Sequence, residues 1–365
     1  MKSREIQAIA LMGWVTIAKK QIYQIAGLVS SGYAVTILTN DRYGDSEESI
    51  SEASPDVTTI ILKNGVFSRI IQILEFLNKA PRSTICIIAP VGRFSIVYLI
   101  LAKFFRKKTI CVEWGDIGEI KRLPVIIRFN MMACYKCSDI VWYKEPYMKE
   151  LLEQYSPKKT FFLHNAVDAN HDLNLNFCDR DISFIWANRL CNRRHPDWYS
   201  GAFAICESKF SDINGVLLGF LDNSLCDRIT MEMQAKIKSN CSNKLDLINF
   251  SDPYPYFKRS RFFVLAADVV FGNNALLEAM SHGIVPIVTA SPGVELIIED
   301  GISGIIAEPN DSGLLVGMSR ALELTKEQWS LMSANAIKVV DSDFRPDAWV
   351  NNMRRLIDEL NGHPN

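Results

Sequence analysis

The chain alternates short, continuously apolar runs with longer segments whose apolar residues recur every three or four positions. In the first half the runs are "IQAIALM", "AVTILT", "VTTIIL", "TICIIA", "KTICVEW" and "DIVWY", all rich in Val and Ile. A strand that is apolar at every position must be covered on both faces. Helical segments lie between the runs, the clearest being "KKQIYQIAGLVSSG", closed by Gly32. Such alternation predicts a parallel sheet with crossover helices. The second half repeats the scheme. "DISFIWA", "NGVLLGF", "KLDLINF", "RFFVLAA", "IVPIVTA" and "SGIIAEP" read as strands. "HPDWYSGAFAICESK" reads as a helix with Pro196 in its first turn, where proline's missing amide costs nothing, and "CDRITMEMQAKIKS" as another.

Between the halves lies "FFLHNAVDANHDLNLNFCDRD", Phe161 to Asp181. It is rich in Asn and Asp, has little apolar periodicity, and reads as a linker. The expected fold is therefore α/β, with two Rossmann-like, doubly wound parallel-sheet domains facing a cleft. The expected boundaries are 1–165 for the first domain, 166–343 for the second and 344–365 for a C-terminal helix. That last helix has Phe344, Trp349, Met353, Leu356, Ile357 and Leu360 on one stripe, so it docks on its own domain or crosses back to the first. Ligands of such sheets bind beyond the carboxyl ends of the strands.

Composition adds little until the charges are placed along the chain. With 48% hydrophobic and 22% charged residues, 365 residues make an ordinary globular protein. The net charge of −1 hides an asymmetry: residues 1–165 carry 22 Lys+Arg against 15 Asp+Glu, and residues 166–365 carry 18 against 26. A basic half suggests an anionic partner. No arginine-rich run or nucleic-acid motif is present, so nucleic acid is not expected. "YLILAKFFRKK" and "EIKRLPVIIRF" mix apolar residues with Lys and Arg as interfacial helices do, which suits an anionic membrane surface. The alternative is core helices with solvated basic ends. The N-terminus lacks an apolar core followed by a cleavage site, and the nine cysteines follow no framework spacing. The expected location is the cytoplasm, with peripheral contact to the inner face of the cell membrane.

Several chemistries are disfavoured. The turn after the first strand, "LMGWVTIAKK", has Gly13 alone and no G-x-G-x-x-G, and no G-x-x-x-x-G-K-[ST] occurs. Cys134 and Cys137 have zinc-like spacing without a second pair, and no two histidines are four apart, so neither metal nor cofactor is expected. The second half carries more. Arg189 follows a strand directly, and Arg193 and Arg194 precede the helix that opens at Pro196. Arginines around a helix N-terminus suit a phosphate, because the amides and the helix dipole add to the guanidinium forks. Gly272, Asn273 and Asn274 then form a turn into the short helix "NALLEAMSHG". Its N-terminus can receive another anion. Glu278, on the second turn, either is solvated or holds a vicinal diol such as a ribose.

At these residues the chain resembles retaining glycosyltransferases of the GT-B fold, most closely the family 4 group. "NRLCNRRHPD" is similar to that family's G-R-L with a Lys five residues after the Arg, placing Arg194 at the Lys. "FGNNALLEAMSHGIVPIV" resembles E-G-F-(G/P)-x-x-L-L-E-A-M-A-x-G-x-P-V, with Glu278 at the second Glu. "EDGISGIIAEPND" and "FFLHNAVD" match two further motifs, and "SSGYAVTILT" matches the first domain only generally. The resemblance implies a UDP- or GDP-sugar donor held by the second domain. Arg189 and Arg194 would hold the diphosphate without a metal. Amides of Gly272, Asn273, Asn274, Ala275 and Leu276 would cradle it, and Glu278 would take the ribose. It also implies retention of configuration and a glycan or lipid-linked acceptor on the first domain, near Gly13. Val270 stands where the family has its first Glu, with Asp268 or Asn273 as substitutes, and Glu113 and Asp116 stand near the family's first-domain His. Glu113 and Asp116 either face the acceptor hydroxyl or belong to a strand-end turn with a helix cap. The alternatives in function are a sugar-nucleotide epimerase of the same fold and a non-catalytic scaffold of a glycan-assembly complex.

Overall fold

A strand covered on both faces sends alternate side chains into two different cores, and the apolar runs do this. The computed structural model describes residues 7–13, 19–40, 57–113, 116–167, 176–220, 228–249 and 251–362. It divides into a first unit of residues 1–166 with 346–365 and a second unit of residues 167–345. In the first unit, β1 (Ala8–Met12), β2 (Ala34–Asn40), β3 (Thr58–Leu62), β4 (Ile85–Ile88), β5 (Lys108–Glu113), β6 (Ile140–Tyr143) and β7 (Thr160–Phe162) form one sheet. Its order is β3-β2-β1-β4-β5-β6-β7, and every pairing is parallel. Ile9, Leu11, Ile85 and Ile87 enter one core with helix α1 (Lys19–Ser30). Their neighbours Ala10, Met12, Cys86 and Ile88 enter the other. That second core is closed by α2 (Val66–Lys79), α3 (Ser95–Phe104), α4 (Val125–Cys137) and α5 (Met148–Glu153).

In the second unit, β8 (Ile182–Ala187), β9 (Gly215–Leu218), β10 (Leu245–Ile248), β11 (Ser260–Leu265), β12 (Val285–Thr289) and β13 (Ile305–Ala307) pair in parallel in the order β10-β9-β8-β11-β12-β13. The helices are α6 (Pro196–Lys209), α7 (Arg228–Asn240), the single turn α8 (Tyr254–Phe257), α9 (Asn274–Ser281), α10 (Asp311–Leu322) and α11 (Lys326–Val339). Phe184, Trp186, Phe262 and Val264 alternate into the core that also holds Tyr199 and Phe203 of α6.

One strand and one residue differ from the sequence expectation. Thr160–Phe162, at the start of the expected linker, is the seventh strand of the first sheet, with Trp142 opposite Phe161. Residues 168–175 of that linker lie outside the described residues, as do Trp114 and Gly115. The terminal helix α12 (Pro346–Asn361) belongs to the first unit. Trp349, Val350, Met353, Leu356 and Ile357 are buried there with α1, each large apolar side chain contributing about 1.5–3 kcal/mol. Trp349 meets Trp142 at 5.9 Å between ring centroids. A Cβ on Gly27 would stand 2.8 Å from Val350 Cγ2, so glycine permits the close packing of α1 on α12. Phe344, read as part of the same stripe, instead stays in the second unit, where its ring lies 6.4 Å from Phe271.

Candidate active site

The second sheet reverses its winding between β8 and β11. The chain leaves β8 toward β9 and leaves β11 toward β12, so the two loops part and open a crevice at the carboxyl edge. These loops, residues 188–195 and 266–273, carry Arg189, Arg194, Gly272 and Asn273, and the second leads into α9 with Asn274, Ala275, Leu276 and Glu278.

Side chains and backbone tie the two loops together. The Asp268 amide donates to the Arg193 carbonyl at 3.1 Å. Asp268 Oδ1 lies 2.7 Å from His195 Nε2, and Asp268 Oδ2 lies 3.9 Å from Arg193 Nε. Arg194 Nη1 donates to the Val269 carbonyl at 3.2 Å. Asn273 Nδ2 donates to Asn188 Oδ1 at 3.0 Å. His195 is left-handed, with φ 38°, a conformation that costs a non-glycine residue about 1–2 kcal/mol. Its Asp268 contact and a face-to-face stack on Trp198, 3.8 Å between centroids, hold it there. The Arg193–Arg194 turn is thereby fixed against the second loop, and its cations stand at the N-terminus of α6.

The second loop is pinned from β12 as well. Thr289 Oγ1 accepts from the Ala267 amide at 2.9 Å and donates to the Ala267 carbonyl at 3.0 Å. The Val270 amide donates to Ser291 Oγ at 3.0 Å. Val270 is itself fully buried, so its side chain offers nothing to a ligand. Asp268, the nearest acid, is engaged by His195 and Arg193.

Gly272, at φ 72°, turns the chain into α9. Asn273 caps the helix, its Oδ1 accepting from the Leu276 amide at 3.0 Å, and the Asn273 carbonyl takes the Leu277 amide at 3.2 Å. This narrows the expected cradle: the Leu276 amide is already used, whereas the Ala275 amide has no such partner among the described residues. Arg189 is exposed and pairs with nothing among the described residues. Glu278 is half-buried on the second turn of α9, one turn beyond Asn274. Its carbonyl accepts from Ser281 Oγ and from His282 Nδ1, each at 2.7 Å, which fixes the hydrogen of that imidazole on Nδ1. Behind α9 lies the buried Arg180. It donates to the carbonyls of Phe257 at 3.2 Å, Ser260 at 2.5 Å and His282 at 2.5 Å. Burial pushes its guanidinium down to about 10.

The second unit thus brings Arg194, Gly272, Asn273, Asn274 and Ala275 together at one crevice, with Arg189 on the loop after β8 and Glu278 on the helix behind it. In the first unit, Gly13 follows β1 at φ 78°, and a Cβ there would meet Tyr98 Cε2 at 3.2 Å. Glu113 ends β5 and is wholly buried. Its carboxylate accepts from the Ile117 amide at 3.1 Å and from the Tyr135 hydroxyl. It therefore caps the 3-10 turn Asp116–Arg122 that Asp116 opens. Sequence reasoning missed Asn188, Thr289, Ser291 and the His195–Trp198 stack. Asn188, directly after β8, had a positional signal; the hydroxyl pins had none. Among the described residues, no group of three His, Cys, Asp or Glu is placed to hold a metal ion.

Residues 182–323, which span this crevice, match the family described as Glycosyl transferases group 1. That match lies wholly within the second unit. No curated protein matches the chain. Among solved structures, it is similar to sucrose-phosphate synthase from Thermosynechococcus elongatus, at 15% identity and TM-score 0.75, covering 98% of this chain and 100% of that one. It is also similar to the Anabaena protein Alr3699/HepE in complex with UDP and glucose, at 12% identity and TM-score 0.76, covering 98% and 100%. A glycosyltransferase from Rickettsia africae ESF-5 aligns at 15% identity and TM-score 0.74, covering 99% and 100%. The fold of both units is GT-B. In the second unit, the matched motif residues flank the switch point of the sheet.

Proposed function

We propose that this protein transfers a sugar from a UDP- or GDP-sugar, with retention of configuration, to a lipid-linked or surface-polysaccharide acceptor. The observation that carries the reading is the bond from Arg194 to the Val269 carbonyl, which ties this cation to the loop that enters α9 beside the switch point of the second sheet. A diphosphate placed there meets a guanidinium, the Ala275 amide and a helix dipole. Together these stabilise the charge that develops on the leaving nucleotide as the glycosidic bond breaks, so the reaction needs no metal. Arg189 adds a second cation, and Glu278 accepts hydrogen bonds from the ribose hydroxyls. Asp268 does not replace the family's first Glu directly, because it holds His195 and Arg193. Asn273 does not replace it either, because its Oδ1 caps α9 and its Nδ2 holds Asn188, so the donor sugar is read by neighbouring backbone. The first unit binds the acceptor, with Gly13 letting it approach the backbone after β1.

The reading is supported by the group 1 glycosyl transferase match and by HepE, a structural relative holding UDP and glucose. A thermal-shift screen over UDP- and GDP-sugars tests it, because a ligand that binds only the folded state raises the midpoint. One base and one sugar are expected to raise it. Incubation of that sugar nucleotide with and without a glycan acceptor then separates transfer from epimerisation. An epimerised donor and no transferred product would refute the reading, as would a flat screen.

A further inference from the structure

We propose that the outer face of α2, α3 and α4 in the first unit docks on an anionic lipid bilayer. Each of these helices already spends one apolar stripe on the core: Ile73 and Leu77 on α2, Leu99 and Ala102 on α3, Met131 and Cys134 on α4. Each then carries a second apolar stripe facing outward. On α2, Phe67 is 83% exposed, and Ile71 follows one turn later. On α3, Ile100 and Phe104 repeat that spacing, Phe104 being 76% exposed. On α4, Val125, Phe129 and Met132 fall at i, i+4 and i+7 and are all exposed. Of the sixteen large hydrophobic residues exposed among the described residues, nine lie on these three helices. Scattered exposed apolar residues need no explanation, whereas a concentration on adjoining helices does. The helices adjoin: α2 packs on α3, and α3 on α4.

The charges select the occupant. The three helices carry Arg69, Lys79, Lys103, Arg128 and Lys136 against one acid, Glu75. Lys103 is committed to Asp139, but Lys79, Arg128 and Lys136 pair with nothing among the described residues. Lys136 continues the Val125–Phe129–Met132 stripe at i+11, and Lys121 precedes it. An apolar stripe rimmed by cations suits a bilayer interface. The rings enter the headgroup–acyl boundary, and the ammonium and guanidinium groups remain level with the phosphates. A second copy of this face would set cation against cation. No helix among the described residues is long and apolar enough to cross a membrane, so the contact is interfacial. The inference rests on this surface alone, independently of the sugar-transfer reading.

The test is flotation of the full chain with vesicles of one part phosphatidylglycerol to two parts phosphatidylcholine, beside vesicles of phosphatidylcholine alone. The wild-type protein is expected to float with the anionic vesicles at low salt and to remain with the free protein beside the neutral ones. Phe104→Ser/Phe129→Ser and, separately, Arg128→Glu/Lys136→Glu are each expected to cut the bound fraction by about tenfold or more. Phe104, Phe129 and Lys136 are exposed and Arg128 is half-buried outside the core, so the variants are expected to keep the wild-type thermal midpoint. Equal flotation with both vesicle types would overturn the inference, as would none with either, or wild-type binding in either variant. A wild-type dimer without lipid that Phe104→Ser/Phe129→Ser converts to monomer would assign the face to a second copy instead.

Discussion

Replacing Asn273 by Ala removes two interactions at once. Its Oδ1 caps α9 through the Leu276 amide, and its Nδ2 supplies Asn188 Oδ1, both at 3.0 Å. Loss of an Asn cap costs about 1 kcal/mol. A polar atom left unsatisfied in a buried site costs about 1–3 kcal/mol, and Asn273 is only 6% exposed. The expected destabilisation of the second unit is about 2–4 kcal/mol, a midpoint shift of roughly 4–16 °C for a unit of this size. Asn273→Asp makes the contrast. The carboxylate still caps α9 and gains from the helix dipole. Asn188 Nδ2, buried and without a partner now, can swing to donate to it. The Asp variant is therefore expected within about 1 kcal/mol of wild type. Urea unfolding followed by intrinsic fluorescence reads both, Trp186 and Trp198 being in the second unit. Equal destabilisation by Ala and Asp would refute the assignment of Asn273 as the strut between the two loops, as would none by either.

Arg180→Met keeps the volume but leaves three carbonyls without their donor, and is expected to cost about 3–5 kcal/mol in urea unfolding; a loss within experimental error would show those bonds to be idle. Gly219→Ala places a Cβ 2.3 Å from the Asn188 carbonyl oxygen at φ +102°, so unfolding at a lower midpoint together with weaker nucleotide binding is expected. Burial alone would raise the Asp139 carboxyl, but its bonds to Lys103 and to the Thr109 amide and hydroxyl hold it below the usual range. A depressed folded-state value contributes stability that is full above the unfolded value of about 3.9 and is lost as the pH falls through the folded one. Wild type and Asp139→Asn are therefore expected to differ most near neutral pH and to converge in acid; a constant gap would contradict this.

The strands were legible in the sequence because burial on both faces leaves unbroken Val/Ile runs. Phe161–Phe162 was not: a three-residue edge strand, only partly covered, looks like the start of a loop. The stripe on α12 was legible, but its partners on α1 and β6 were not, because nothing local encodes where a helix docks. Phe344 fell in with that stripe by spacing alone and belongs to the second unit. At the site, Arg189, Arg194 and Glu278 stood out as charges beside strand ends or within apolar company. The struts that place them join residues far apart in sequence: Asn188 and Asn273 are 85 positions apart. Glu113 stayed open in the sequence between an acceptor contact and a helix cap, because its cap partners, Ile117 and Tyr135, come into view only in the fold.

The central claim is that Arg194 and the end of α9 form a nucleoside-diphosphate site in which Glu278 holds the ribose. Calorimetric titration of UDP and GDP into the wild-type protein, Arg194→Ala and Glu278→Ala tests this most directly. One nucleotide is expected to bind the wild type, with affinity falling about tenfold or more in each variant, that is, by about 1.4 kcal/mol or more. Absence of binding by either nucleotide would contradict the claim, as would wild-type affinity in both variants.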